Sequence, residues 1–224
     1  MPASAAVLRS AFTLALAFFS SGCAFMNQHV QLDGLEPVTL RSSAPRKVVV
    51  RELVDARVDP SRVGVVKNGW GNETAMVLTE TDVSKALSEA LCASLERAGW
   101  TVVRAQASAA VEVPRAEDWV VSGWLRSLMS EPSIGTWAVD ELAEAEVTLE
   151  VRTAHRLLRR SFRGFELLEN NLACFSDCAQ QALKAAMTQV VQQAVQGLLE
   201  LSVRVPPVVL EPAPTLLWLE LEVD

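Results

Sequence analysis

Residues 143–153, AEAEVTLEVRT, set Ala143, Ala145, Val147, Leu149 and Val151 in one series and Glu144, Glu146, Thr148, Glu150 and Arg152 in the other. Only a strand turns successive side chains to opposite faces, so this period of two demands a half-buried antiparallel sheet. The chain turns at residues 153–156 and runs back through residues 157–168. A four-residue turn there sets Glu150 opposite Arg159, Thr148 opposite Ser161 and Glu146 opposite Arg163, with Val147 opposite Phe162 on the apolar face. Opposite charges facing across a ladder contribute about 0.2–1 kcal/mol per pair. The same register points Arg160 inward beside Leu149, so either Arg160 snorkels to an edge or the register slips.

A sheet with one apolar face needs a cover, and two segments have helical spacing. In the first, Val83, Leu87, Ala90, Leu91, Ser94, Leu95 and Ala98 fall on one stripe, and Gly99 stops the helix. Thr79 is the expected cap, with Glu80 and Asp82 in the first turn and Leu78 and Val83 as a hydrophobic staple. Cys92 lies off the stripe and is expected at its flank or in solvent. In the second, residues 176–201, the stripe is Ala179, Leu183, Ala186, Met187, Val190, Ala194 and Leu198, with the glutamines mainly away from it. Each helix has a single apolar face and must lie on a sheet. Further strands are expected at residues 47–53, 100–104 and 118–129. Asn68-Gly69 is a hairpin turn signal, and Gly64, Gly69 and Gly71 mark tight bends; no Gly-Lys-Ser/Thr follows to cradle a phosphate. The fold class expected is α+β, an antiparallel (mixed) β-sheet with two helices packed on one face.

Before this body lies a leader. Arg9 is the only charged side chain before residue 33, and the apolar run at residues 11–19 is far shorter than the roughly 20 residues a membrane-spanning helix needs. A basic start, a short apolar run and then small residues make a secretory signal peptide. Its end, Ser20-Ser21-Gly22-Cys23, resembles the lipobox of bacterial lipoproteins, in which the cysteine is acylated and the chain is cut before it; Ser20 stands where leucine is usual. The alternative is an ordinary secreted protein cleaved nearby. Acyl chains anchor by burying about 0.8 kcal/mol per CH₂. Ala24 is not the aspartate that retains such proteins at the inner membrane, which favours the periplasmic face of the outer membrane. The expected organisation is a signal peptide over residues 1–22, a lipidated tether over 23–46, an α+β domain over 47–204 and a proline-rich extension over 205–224. The final LLWLELEVD alternates and could add an edge strand to its own sheet or a partner's.

A net charge of −7 with no basic patch excludes nucleic acid as a natural partner. In an oxidising compartment Cys174 and Cys178 are the preferred disulfide, with Cys92 to either of them as the alternative. Two thiolates alone, with no histidine nearby in sequence, make a poor metal site, so no metal or other cofactor is expected.

The stretch VGVVKNGWGNETAMVLTETDVSKALSEALCASLERAGW resembles the YajG-like bacterial lipoproteins through Gly64, Asn68, Gly71 and Ala75, then Val83, Ala86, Leu87, Leu95 and Gly99. The likeness runs over residues 48–201. It implies an α+β domain tethered to the outer membrane with no catalytic residues to carry over, and related envelope lipoproteins include auxiliary subunits of transport systems.

No catalytic set is expected. His29 falls in the tether and His155 in a turn, Glu144/Glu146 are the wet face of a strand, and Asp140/Glu141 read as the loop before it. Trp70, Trp137 and Trp218 are the candidate ligand or partner contacts. The function expected is a non-enzymatic envelope lipoprotein that assists or scaffolds a complex, with membrane and protein partners; the alternative is a lipid- or glycan-binding module.

Overall fold

The computed structural model describes residues 26–44, 46–108, 118–134, 139–153, 156–171 and 176–204. They form a mixed sheet of nine strands under two helices, an α+β fold. In chain order the strands are β1 (Gln28–Val30), β2 (Lys47–Arg51), β3 (Val54–Asp55), β4 (Arg62–Lys67) and β5 (Glu73–Thr79), followed by β6 (Thr101–Ala105), β7 (Trp119–Ile134), β8 (Val139–Arg152) and β9 (Leu157–Asn171). Helix α1 (Val83–Arg97) lies between β5 and β6, and helix α2 (Ser176–Arg204) follows β9.

β7 organises the sheet. Along one edge it pairs in parallel with β2 at Trp119–Val121, with β3 at Trp124 and Leu125, and with β4 at Ser130 and Ser133. Along the other it pairs antiparallel with β8, which pairs with β9. β5 joins β4 antiparallel, β6 joins β2 in parallel, and β1 joins β5 in parallel.

The β8–β9 register agrees with the sequence pattern at every pair: Glu150 faces Arg159, Leu149 faces Arg160, Thr148 faces Ser161, Val147 faces Phe162 and Glu146 faces Arg163. Both charge pairs close at 2.9 Å, and the Thr148 and Ser161 hydroxyls lie 2.9 Å apart. The arginine question resolves as snorkelling: Arg160 is exposed and its guanidinium sits 5.3 Å from the Phe162 ring centroid.

α2 lies so close on this hairpin that a Cβ on Gly164 would stand 1.9 Å from the Ala186 carbonyl oxygen. Its glutamines reach past the hairpin to the open edge of β9. The Phe165 N–H donates to Gln189 Oε1 at 3.1 Å, and Gln193 Nε2 donates to the Arg163 carbonyl at 2.8 Å. Side chains that lie off the apolar stripe thus blunt a long strand edge that would otherwise template pairing.

α1 begins at Val83 with Asp82 as its cap, whose carboxylate accepts from the Lys85 N–H at 3.0 Å. Thr79 is not the cap because β5 runs through it, and its hydroxyl donates to the Val30 carbonyl at 2.9 Å. The serines on the helix stripe are buried for a reason. Ser88 Oγ accepts from Leu53 N–H at 2.8 Å and Ser94 Oγ from Val38 N–H at 2.9 Å, so each hydroxyl satisfies a passing strand or loop.

The segment expected as a tether is part of the body from Met26 onward. β1 extends the sheet, and Val30 and Leu32 are buried. Leu32 N–H donates to Thr81 Oγ1 at 3.0 Å, Ser42 N–H to the Ala98 carbonyl at 3.1 Å, and Arg97 to the Pro37 carbonyl at 2.8 Å. The residues are mostly polar, so their order comes from partners distant in sequence.

The core lies between sheet and helices, with Trp119 1 % exposed and edge-on to Trp100 at 5.7 Å between centroids. Arg46 stacks on Trp119 at 4.7 Å and donates to the Ser202 carbonyl at 2.9 Å, a cation at the negative end of α2.

Candidate functional site

Cys23, Cys174, Trp137, Trp218 and His155 lie outside the described residues. Of the remaining candidates, Trp70 stands at the tip of the β4–β5 hairpin and is 87 % exposed. Asn68 closes that turn: its Oδ1 accepts from the N–H groups of Trp70 at 3.1 Å and Asn72 at 3.0 Å, and its carbonyl accepts from Gly71 N–H at 2.8 Å. Gly71 takes φ +80°, which only glycine adopts without strain. Gly64, expected at a bend, is instead inside β4, flush against the Ser130 carbonyl. His29 sits on β1 with its side chain exposed, rather than in a loose tether.

Cys178 is disulfide-bonded, whereas Cys92 is a free thiol. Cys92 is not at the flank of α1 but 3 % exposed, beside a cavity of about 220 Å³ that Glu52, Lys85, Glu89 and Arg104 help to line between α1, β2 and β6. The periodicity failed here because α1 packs against β2 and β6 as well as α2, which widens its buried face. Burial pushes the thiol up to about 11, and the nearby Arg104, itself held by Glu96 at 2.9 Å, offsets only part of this. At pH 8 roughly one molecule in a thousand carries the thiolate. In the folded protein Cys92 is therefore expected to resist iodoacetamide at pH 8 and to alkylate in step with urea unfolding; intact mass follows it, and rapid modification without denaturant contradicts the burial.

Glu141 was expected in a loop, but it lies in β8, opposite Pro132 and Leu168, and is 0 % exposed. It occupies the apolar phase of the strand between Val139 and Ala143. Ser130 donates its hydroxyl to one carboxyl oxygen, and the other, Oε2, has no hydrogen-bond partner among the described residues. Burial pushes this carboxyl up to about 7. Ser130 is also 0 % exposed. Among the described residues, both side chains of the pair are sealed from solvent.

The outer face of the sheet, away from the helices, carries a feature that sequence reasoning missed. Met76, Met129, Phe165 and Leu167 are between 45 and 55 % exposed. Met129 and Phe165 flank Glu144 in one row of the ladder, and Leu167 faces Leu142 in the next. The signal was present as two apolar residues, Phe165 and Leu167, on the polar phase of β9. Among the described residues no group of three or more His, Cys, Asp or Glu is placed to hold a metal, and no helix is long and apolar enough to cross a membrane.

No family model and no curated protein matches this chain. Solved structures do. A Xanthomonas campestris protein of the DUF330 family superposes with a TM-score of 0.55 at 14 % identity, over 80 % of this chain and 97 % of that one. A minor lipoprotein of Acinetobacter baumannii gives 0.40 at 13 % identity, over 74 % and 96 %. A neuraminyllactose-binding hemagglutinin homolog of Helicobacter pylori gives 0.39 at 13 % identity, over 72 % and 91 %. At these identities the likeness is one of fold, and the first comparison carries it.

Proposed function

We propose that this chain is a lipid-anchored protein of the bacterial envelope, attached through Cys23 to the periplasmic face of the outer membrane, which holds or assists a protein complex and performs no chemistry of its own. The observation that carries the reading is the order of Arg9, the apolar run at residues 11–19 and Ser20-Ser21-Gly22-Cys23, ending three residues before the described body begins at Met26. The resemblance of residues 48–201 to YajG-like lipoproteins supports it. If Cys23 is acylated, Cys174 is left as the partner within the chain for the bonded Cys178, since Cys92 is free. The outer-face patch of Met129, Phe165 and Leu167 is the surface a protein partner would cover.

Intact mass of detergent-extracted native protein tests the anchor: a chain starting at Cys23 with added acyl mass is expected, and one retaining residues 1–22 refutes it. For the holding role, Phe165→Asp with Leu167→Asp is expected to lose the co-purifying partner while keeping the wild-type unfolding midpoint. Recovery of the same partner by the variant, or of none by the wild type, removes that role.

A further inference from the structure

We propose that the β4–β5 turn, led by Trp70, rests in the headgroup layer of the bilayer that holds Cys23, so that the sheet stands with β5 directed at the membrane; this rests on the anchor reading above.

Strand direction supplies the first argument. β1 is parallel to β5, with Gln28 beside Val77, His29 beside Leu78 and Val30 beside Thr79. Met76 N–H donates to Asn27 Oδ1 at 3.0 Å, which extends that alignment by one residue. Followed toward its N-terminus, the chain therefore runs alongside β5 toward the start of that strand at Glu73, the side on which the Trp70 turn lies. Reach supplies the second. Two residues lie between Cys23 and Met26, so the three steps span at most about 11 Å at 3.3–3.6 Å per residue. An acylated Cys23 thus holds this corner of the body close to the lipid surface.

The corner is built to tolerate that position. Among the described residues, Trp70 is 87 %, Met26 66 % and Met76 45 % exposed, apolar side chains at the end of the body from which the chain leads back to Cys23. Indole places an apolar ring and a polar N–H at one level, which suits the membrane–water interface. The hydrogen bonds from Asn68 hold the turn that presents the ring. The charges nearby are paired, Lys67 with Glu131 at 2.6 Å and Arg62 with Glu73 at 3.6 Å. With these pairs closed and a net charge of −7, attraction to anionic headgroups is not the driving force, and the contact is expected to be insensitive to salt.

The test uses the acylated mature chain in phosphatidylethanolamine–phosphatidylglycerol vesicles whose lipids carry bromine high on the acyl chain. Tryptophan emission is expected to be quenched relative to unbrominated vesicles, and Trp70→Phe is expected to remove most of that quenching at low and high salt alike. In a second arm Cys23→Ser follows a polyhistidine tag on nickel-chelating vesicles, which sets residue 23 at the surface whatever the cell does to Cys23. Trp70-dependent quenching there supports the contact even if native mass reveals no acyl group, in which case only the anchor reading fails. An acylated chain whose quenching is unchanged by Trp70→Phe overturns the contact and leaves the anchor standing.

Discussion

Replacing Gly164 with alanine is expected to cost about 3 kcal/mol or more of unfolding free energy, at the top of the range for overpacked cores. The added Cβ would stand 1.9 Å from the oxygen of Ala186, 2.8 Å from its carbonyl carbon and 3.2 Å from its Cα. All three are backbone atoms of α2, so no rotamer change relieves the clash. The helix must lift away from β8 and β9, which loosens Leu183, Met187 and Val190, each no more than 1 % exposed. Because the obstacle is main chain, Ala186→Gly is not expected to rescue the variant. Urea midpoints of the wild type, the single variants and the pair decide the matter. A Gly164→Ala midpoint close to wild type, or recovery in the pair, contradicts this packing.

Glu141→Gln is expected to stabilise the protein by about 2–3 kcal/mol at pH 8 and to leave it unchanged near pH 4. The folded-state carboxyl is raised from 4.5 to about 7 by burial. Below 4.5 both folded and unfolded chains hold the proton, and the group contributes no pH dependence. Between 4.5 and 7 the folded chain keeps the proton that the unfolded chain releases, so stability falls as pH rises. Above 7 the native state carries a buried charge and the loss is complete, on the order of 3 kcal/mol. Glutamine keeps an acceptor for the Ser130 hydroxyl and removes the titration. The difference between the two unfolding profiles across pH 4–8 isolates this one group, since all other carboxylates are common to both. Parallel profiles would show that Glu141 is not sealed in.

The parts of the fold legible from sequence are those set by near neighbours. The hairpin of β8 and β9 was readable to the residue because its period of two and its facing charges, Glu146 with Arg163 and Glu150 with Arg159, specify one register. Both helix stripes were readable because every member of each is buried. What was not legible depends on distant partners. Nothing in residues 26–46 announces that Thr81, Ser94 and Arg97 will pin them to α1. The parallel pairing of β7 with β2, β3 and β4 joins segments far apart in the chain. Glu141 could have been placed, since Val139, Glu141 and Ala143 share the apolar phase of their strand. Trp70 was visible as a turn tryptophan, but that the chain before β1 runs toward its turn follows only from the β1–β5 pairing.

The position of β7 has a consequence for how the body assembles. β2 with α1 and β6 makes one piece, and the β4–β5 hairpin with β1 makes another; β7 is the strand that pairs with both. A chain synthesised N-terminus first delivers both pieces before residues 119–134 arrive to join them. Until then each piece offers an unsatisfied strand border, the condition under which chains pair with the wrong neighbour. Completion of the fold waits on the arrival of one long strand from the second half of the chain, and a product cut short before it lacks the strand that pairs with both fragments of sheet.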